Sequence, residues 1–139
     1  LHRKLGKKYG SKASPLVQAF LYRTNLLFRF RRRIILVKSL AEIKSQLQAG
    51  KFEFTRHAFK RAVERNISEK EIREASSTLE VIEDYPEDKY TPSCLLLGFT
   101  LNNRVLHIQV SKMDSDTTKI ITLYEPEADR WINYKRRKN

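Results

Sequence analysis

The chain has 139 residues, 40% of them hydrophobic, and a single cysteine, Cys94. That is enough material for one ordinary domain with a core, and it excludes an internal disulfide and a Cys-rich zinc site. The net charge of +12 is unevenly spread: residues 1–38 carry eleven Lys/Arg and no Asp/Glu, whereas residues 39–139 carry seventeen against sixteen. Basicity therefore belongs to the N-terminal segment and is no argument that the remainder binds nucleic acid.

"LHRKLGKKYGSKASP" has no helical or strand period and reads as disordered. "LVQAFLYRTNLLFRFRRRIILV" is apolar but broken by Arg23, Arg29 and Arg31 to Arg33, so it fits neither a membrane span nor a signal peptide. An organelle transit peptide, a basic segment for membranes or nucleic acid, and upstream DNA translated from a misplaced start remain open. The leucine at position 1 and the change of composition near Val37 favour the last. The expected division is residues 1–36 as a basic, disordered or non-native extension and residues 37–139 as one α+β domain.

From Val37 onward the periods are clear. Leu40, Ile43 and Leu47 predict a helix over 39–49, stopped by Gly50. "KFEF" reads as a short extended link. Thr55 is an N-cap for a second helix whose apolar face is Ala58, Phe59, Ala62 and Val63 and which Asn66 closes. Ser68 and Glu71 form a capping box opening a third, with Ile72 and Ala75 inward. "LEVIEDY", "SCLLLGFTL", "RVLHIQVS" and "TKIITLY" then read as strands. Asn102-Asn103 suits a two-residue hairpin turn. Such a turn pairs Phe99 with Leu106, Leu97 with Ile108 and Leu95 with Val110 on an apolar face, and Gly98 with His107 on the other. Ile121 and Leu123 join the core; Thr122 and Tyr124 join His107 and Gln109. "EADRWINYKRRK" reads as a terminal helix or partly ordered tail. The expected architecture is α+β: helices packed on an antiparallel sheet of three to four strands, with a C-terminal helix.

No phosphate loop, Rossmann fingerprint or Gly-x-Ser-x-Gly is present. Neither metal nor cofactor is expected. What remains is chemistry that His, Arg, Lys and Tyr perform unaided: holding phosphate and moving protons. His57, Arg61 and Arg65 recur every four residues, one stripe along a helix edge. His57 could act as acid or base, and the arginines could clamp a phosphate. The plain alternative is a solvated helix edge pairing with Glu64 or Glu69. Tyr124 and His107 are either site residues or half-buried strand side chains. Lys119, Arg136 and Arg137 are either solvated or RNA contacts.

"FTRHAFKRAVERNIS", "EVIEDYP", "LLLGF", "LHIQV" and "IITLYEP", in this order and spacing, resemble the bacterial family called domain of unknown function 4258. The resemblance covers roughly residues 39–131. That family is similar to toxins of the RelE and BrnT kind, small α+β ribonucleases that need no metal. The resemblance implies a RelE/barnase-like fold and the toxin component of a type II toxin–antitoxin system. It implies an endoribonuclease that cleaves RNA by 2′-hydroxyl attack, held in the cytoplasm by a small antitoxin with a zinc-finger or helix-turn-helix domain and with no membrane partner. The family's His-x₃-Arg-x₃-Arg pattern falls on His57, Arg61 and Arg65, and its Tyr-x-Pro on Tyr124 and Pro126. The expected catalytic set is His57, Arg61, Arg65 and Tyr124; the expected RNA contacts are His107, Lys119, Arg136 and Arg137. The alternative is a non-catalytic protein- or RNA-binding module of the same fold.

Overall fold

Helix starts follow the caps written in the sequence. Ser39 Oγ accepts from Glu42 N–H at the start of α1 (Leu40–Gln48). Thr55 Oγ1 accepts from Ala58 N–H at the start of α2 (Arg56–Glu64). Ser68 and Glu71 make the reciprocal capping box of α3 (Glu69–Ala75). Asn66, at φ 52°, takes the left-handed turn that ends α2. These elements belong to a computed structural model that describes residues 36–139, a single unit. The expectation for the first 36 residues lies, but for Leu36, outside them.

The strands are β1 (Phe52–Phe54), β2 (Glu80–Tyr85), β3 (Ser93–Phe99), β4 (Val105–Ser111) and β5 (Thr118–Tyr124), in the sheet order β1-β5-β4-β3-β2. "KFEF" is thus a strand and not a link. It pairs parallel with β5, while every other neighbour is antiparallel, so the sheet is mixed and five-stranded. The chain begins to join this body at its first described residues: Lys38 N–H donates to Lys112 O at 2.7 Å, and the buried Lys38 Nζ donates to Gln46 Oε1 and Thr117 O.

No terminal helix forms. Two-residue strands β6 (Trp131–Ile132) and β7 (Arg136–Arg137) make a hairpin instead. Asn133 and Tyr134 both have positive φ, 53° and 62°, and Lys135 N–H closes the turn onto Ile132 O. Two successive left-handed residues match the tight turn of a hairpin and cannot continue a right-handed helix.

The β3–β4 register is one residue from the expected one. The turn is Leu101-Asn102-Asn103, three residues long, with Asn103 left-handed at φ 60° and Thr100 N–H bonded to Arg104 O. The observed pairs are Phe99 with Val105, Gly98 with Leu106, Leu97 with His107 and Leu96 with Ile108. The slip inverts β3 alone. Leu96 and Cys94 join Leu106, Ile108, Val110, Ile120 and Leu123 beneath the helices, whereas Leu95 and Leu97 turn to the face bearing His107 and Gln109. Gly98 therefore lies under the helices. A Cβ there would stand 2.6 Å from Ala75 O, so glycine permits α3 to approach the sheet. In β5 a bulge between its pairs with Gln109 and Val110 puts Ile120, and not Ile121, in the core, while Thr122 and Tyr124 pair with Gln109 and His107 as expected.

The helix α2 also departs from its sequence reading. Ala58 and Ala62 are buried, but Phe59 and Val63 are exposed, at 60% and 65%. Two alanines suffice because α2 lies close over the free edge of β5. Beyond the three residues paired with β1, that edge is bonded by Thr55 Oγ1 to Ile121 O at 3.1 Å and by Arg65 Nη1 to Leu123 O at 2.9 Å.

Candidate functional site

The sheet has an inner face under the helices and an outer face, and the C-terminal hairpin covers part of the outer one. Trp131 packs edge-on against His107 at a centroid distance of 4.5 Å. His107 is fully buried, and both ring nitrogens are engaged: Nε2 lies 2.7 Å from Tyr134 O and Nδ1 lies 3.2 Å from the Tyr124 hydroxyl. A carbonyl only accepts, so Nε2 carries the proton, and the Tyr124 hydroxyl donates to Nδ1; the tautomer follows from this network. Burial lowers the His107 pKa and keeps the ring neutral. Burial also raises the Tyr124 pKa, so its hydroxyl stays protonated.

Arg137 fastens the hairpin to β2. It donates to both oxygens of Glu83, at 2.9 and 3.1 Å, and lies over the Trp131 ring at 4.8 Å. Hydrogen bonding from Arg137 holds the Glu83 carboxyl below its ordinary range. The Tyr85 hydroxyl donates to the same carboxylate, and burial with that bond pushes its pKa up to about 12.

Where the hairpin, the end of β5 and the end of α2 meet, a cleft of about 590 Å³ opens, lined by Arg65, Tyr124, Glu127, Asp129, Arg130 and Lys138 among others. Arg65 comes from the inner layer, and its guanidinium lies 5.9 Å from the centroid of the Tyr124 ring. The structure thus brings together three of the eight expected site residues, Arg65, Tyr124 and Arg137. The others stand apart. Four residues of helix rise about 6 Å, so His57 lies two such steps from Arg65, exposed. Arg61 is paired with Glu64 at 2.7 Å, the plain alternative for an arginine at that spacing. Lys119 sits on β5 toward β1, 3.9 Å from Glu53. Arg136 is exposed on β7, and His107 is interior to the hairpin contact.

Arg104 is a residue that the sequence reading passed over. Its guanidinium donates to both Glu71 oxygens, to Asn66 O and to Arg65 O, the last at 2.8 Å, and its Nε pairs with Glu125. It ties the C-terminal end of α2 to α3 and to the residue after Tyr124, and so fixes the backbone that carries Arg65. Its only mark in the sequence is a lone arginine opening a strand after a turn; its acceptors lie 21–39 residues away along the chain. Arg130 and Lys138, further cations of the cleft, lie in the segment that reads in sequence as a terminal helix or partly ordered tail.

The fold and cleft define an α+β domain with helices on one face of a mixed sheet and a charged cleft at the sheet's end. Residues 54–125, just over half of the chain, match the model of the family described as domain of unknown function 4258, and the chain belongs to that family. The match runs from the residue before the Thr55 cap through Glu125, and so includes Arg65 and Tyr124 but not the hairpin. No curated protein and no solved structure matches the chain. Among the described residues no helix is long and apolar enough to cross a membrane, and no cluster of three or more His, Cys, Asp or Glu could hold a metal ion.

Proposed function

We propose that this chain acts on RNA as the toxin member of a type II toxin–antitoxin pair, with a RelE-like fold and a cytoplasmic place of action, and that the cleft beside Arg65 and Tyr124 receives the phosphodiester. One observation carries this reading: two residues of the family pattern, distant in sequence and in different layers of the fold, meet at one cleft wall. Arginine suits phosphate through its planar fork of donors. The Tyr124 hydroxyl is oriented by His107 and can still accept a hydrogen bond. Arg130, paired with Glu127 at 2.9 Å, and Lys138 also line the cleft.

In the proposed reaction a base takes the proton of the ribose 2′-hydroxyl, and the 2′-oxygen bonds to the adjacent phosphorus. The bond to the 5′-oxygen breaks, and that oxygen takes up a proton. The products are a 2′,3′-cyclic phosphate and a 5′-hydroxyl. Arg65 stabilises the charge that gathers on the non-bridging oxygens. Asp129 and Glu127 are the cleft groups able to accept the first proton. His57 and Arg61 extend the basic edge of α2 and contact the strand flanking the cut. The antitoxin, a small zinc-finger or helix-turn-helix protein, is the expected partner.

A specific observation favours a second reading, a binding module without catalysis. Among the described residues the histidine near the cleft is His107, which is buried with both nitrogens engaged, so its ring is not open to act as acid or base on a substrate. Mapping of RNA ends after incubation with the purified chain separates the two. New 2′,3′-cyclic phosphate ends support cleavage, and saturable RNA binding without new ends supports the module. Neither binding nor cleavage would overturn the RNA reading.

A further inference from the structure

The hairpin leaves the half of the outer sheet face toward β1 uncovered, and there a second groove of about 650 Å³ opens. Its floor is Gln109 and Ser111 of β4 with Lys119 and Ile121 of β5, and the loop after β2 contributes Tyr90 and Thr91 to its wall. Volumes of this order hold a small organic ligand.

Three features specify the ligand. First, the charged residues that line the groove are one cation and two carboxylates: Lys119 lies 3.9 Å from Glu53, and Asp88 accepts from Ser93 Oγ at 2.6 Å. A phosphate gains little from such a lining, and a neutral polar group fits it. Second, Tyr90 is 86% exposed, and the Lys89 ammonium lies 5.4 Å from its ring centroid. An uncovered aromatic ring at a groove with a largely apolar lining is a stacking platform. Third, the Gln109 amide is half used. Its Nε2 donates to Ser93 Oγ at 3.1 Å, while its Oε1 accepts no hydrogen bond among the described residues. A primary amide offers one donor and one acceptor in a plane, the complement of a base edge.

We infer that this groove is a nucleobase pocket, in which Tyr90 stacks on a base and the Gln109 amide reads its edge. The inference rests on the RNA reading above and deepens it. Tyr124 and Ile121 are three residues apart on β5, roughly 10 Å at the strand rise. A single strand whose phosphate sits at Arg65 and Tyr124 can therefore reach the groove within a few nucleotides. Phosphate held at one place and base read at another is how proteins separate affinity from sequence preference. The groove then sets which nucleotide stands near the cut.

The test uses the full chain and two kinds of probe. Free adenosine, guanosine, cytidine and uridine are titrated while the NMR signals of the Gln109 side-chain amide and the Tyr90 ring are followed. A short single-stranded RNA is then compared with the same RNA made abasic at one position at a time. At least one nucleoside should shift both signals saturably. Tyr90→Ala should weaken that binding roughly tenfold, the scale of one base–aromatic stack, and Tyr90→Phe, which keeps the ring, should not. One abasic position should weaken RNA binding by a similar factor in the native chain and have no effect in Tyr90→Ala. Nucleoside shifts at Gln109 and Tyr90 in a chain that binds no RNA would support the pocket and overturn the RNA reading. RNA binding or cleavage that is unchanged in Tyr90→Ala and Gln109→Leu, with no nucleoside shifts, would overturn the pocket alone.

Discussion

The inner and outer faces of the sheet are held by different forces. The inner face is closed by apolar area: Leu96, Leu106, Ile108, Ile120 and Leu123 meet Ile43, Leu47 and Ile72 from the helices, all nearly or fully buried. The outer face is closed at one end by a mixed network in which Trp131, His107, Tyr124, Arg137 and Glu83 each touch a residue from another strand. An apolar face tolerates approximate fit, whereas a polar network depends on every partner. The candidate site lies where the two kinds of packing meet, since Arg65 belongs to the inner layer and Tyr124 to the outer network.

The comparison breaks most visibly at Gly98. Gly98→Val should destabilise the domain by about 3 kcal/mol, because the new side chain must displace the Ala75 carbonyl. The urea midpoint measures it. A neutral effect would place Gly98 on the outer face after all.

On the outer face the matching change is Trp131→Ala. A buried aromatic removed from a core costs more, but this hairpin is short and can detach, so a loss of about 2 kcal/mol confined to residues 130–138 is expected. Hydrogen exchange should show the Lys135 and Lys138 amides losing protection while β3 and β4 keep theirs. Global unfolding would mean that the two faces are one cooperative unit.

Acid should loosen the outer face before the inner one. The folded pKa of His107 is lowered by burial, so the unfolded ring binds a proton first, and stability rises with pH across that interval. The contribution is complete above the ordinary histidine value near 6.5 and is lost as pH falls toward the depressed folded value. Glu83, held low by Arg137, adds a loss at lower pH as it protonates. Trp131 is the sole tryptophan, and its fluorescence against pH reports the hairpin directly. A flat signal between pH 7 and 5 would contradict the assignment of a neutral, buried His107.

The smallest effect is expected at the other end of the stripe. His57→Ala should change stability by no more than about 0.5 kcal/mol, since the residue is exposed and bonded to nothing among the described residues.

The same contrast explains what was legible in the sequence. Helix caps are local, so Thr55, Ser68, Glu71 and Asn66 could be read directly. The inward residues of β4 followed from alternation. The β3 register did not, because β3 is apolar on both faces: Leu95 and Leu97 are as buried as Leu96, and alternation carries no sign there. Period alone places Phe59 and Val63 in the core, while the close approach of α2 to the β5 edge buries Ala58 and Ala62 and leaves the larger pair exposed. The terminal hairpin was hidden because its determinants are tertiary: the docking of Trp131 on His107 and of Arg137 on Glu83. For the site, spacing identified a stripe but could not say which end meets the sheet.

In the proposed site Arg65, and not the whole stripe, meets the phosphate beside Tyr124. The most direct measurement is the rate at which a defined RNA is cleaved by Arg65→Gln and by His57→Ala, each verified as folded. Arg65→Gln should lose about 100-fold or more, the scale of removing one charge-stabilising donor. His57→Ala should lose no more than about tenfold. The reverse order, with His57→Ala inactive and Arg65→Gln close to native, would contradict this placement of Arg65 and move the chemistry to the exposed start of α2.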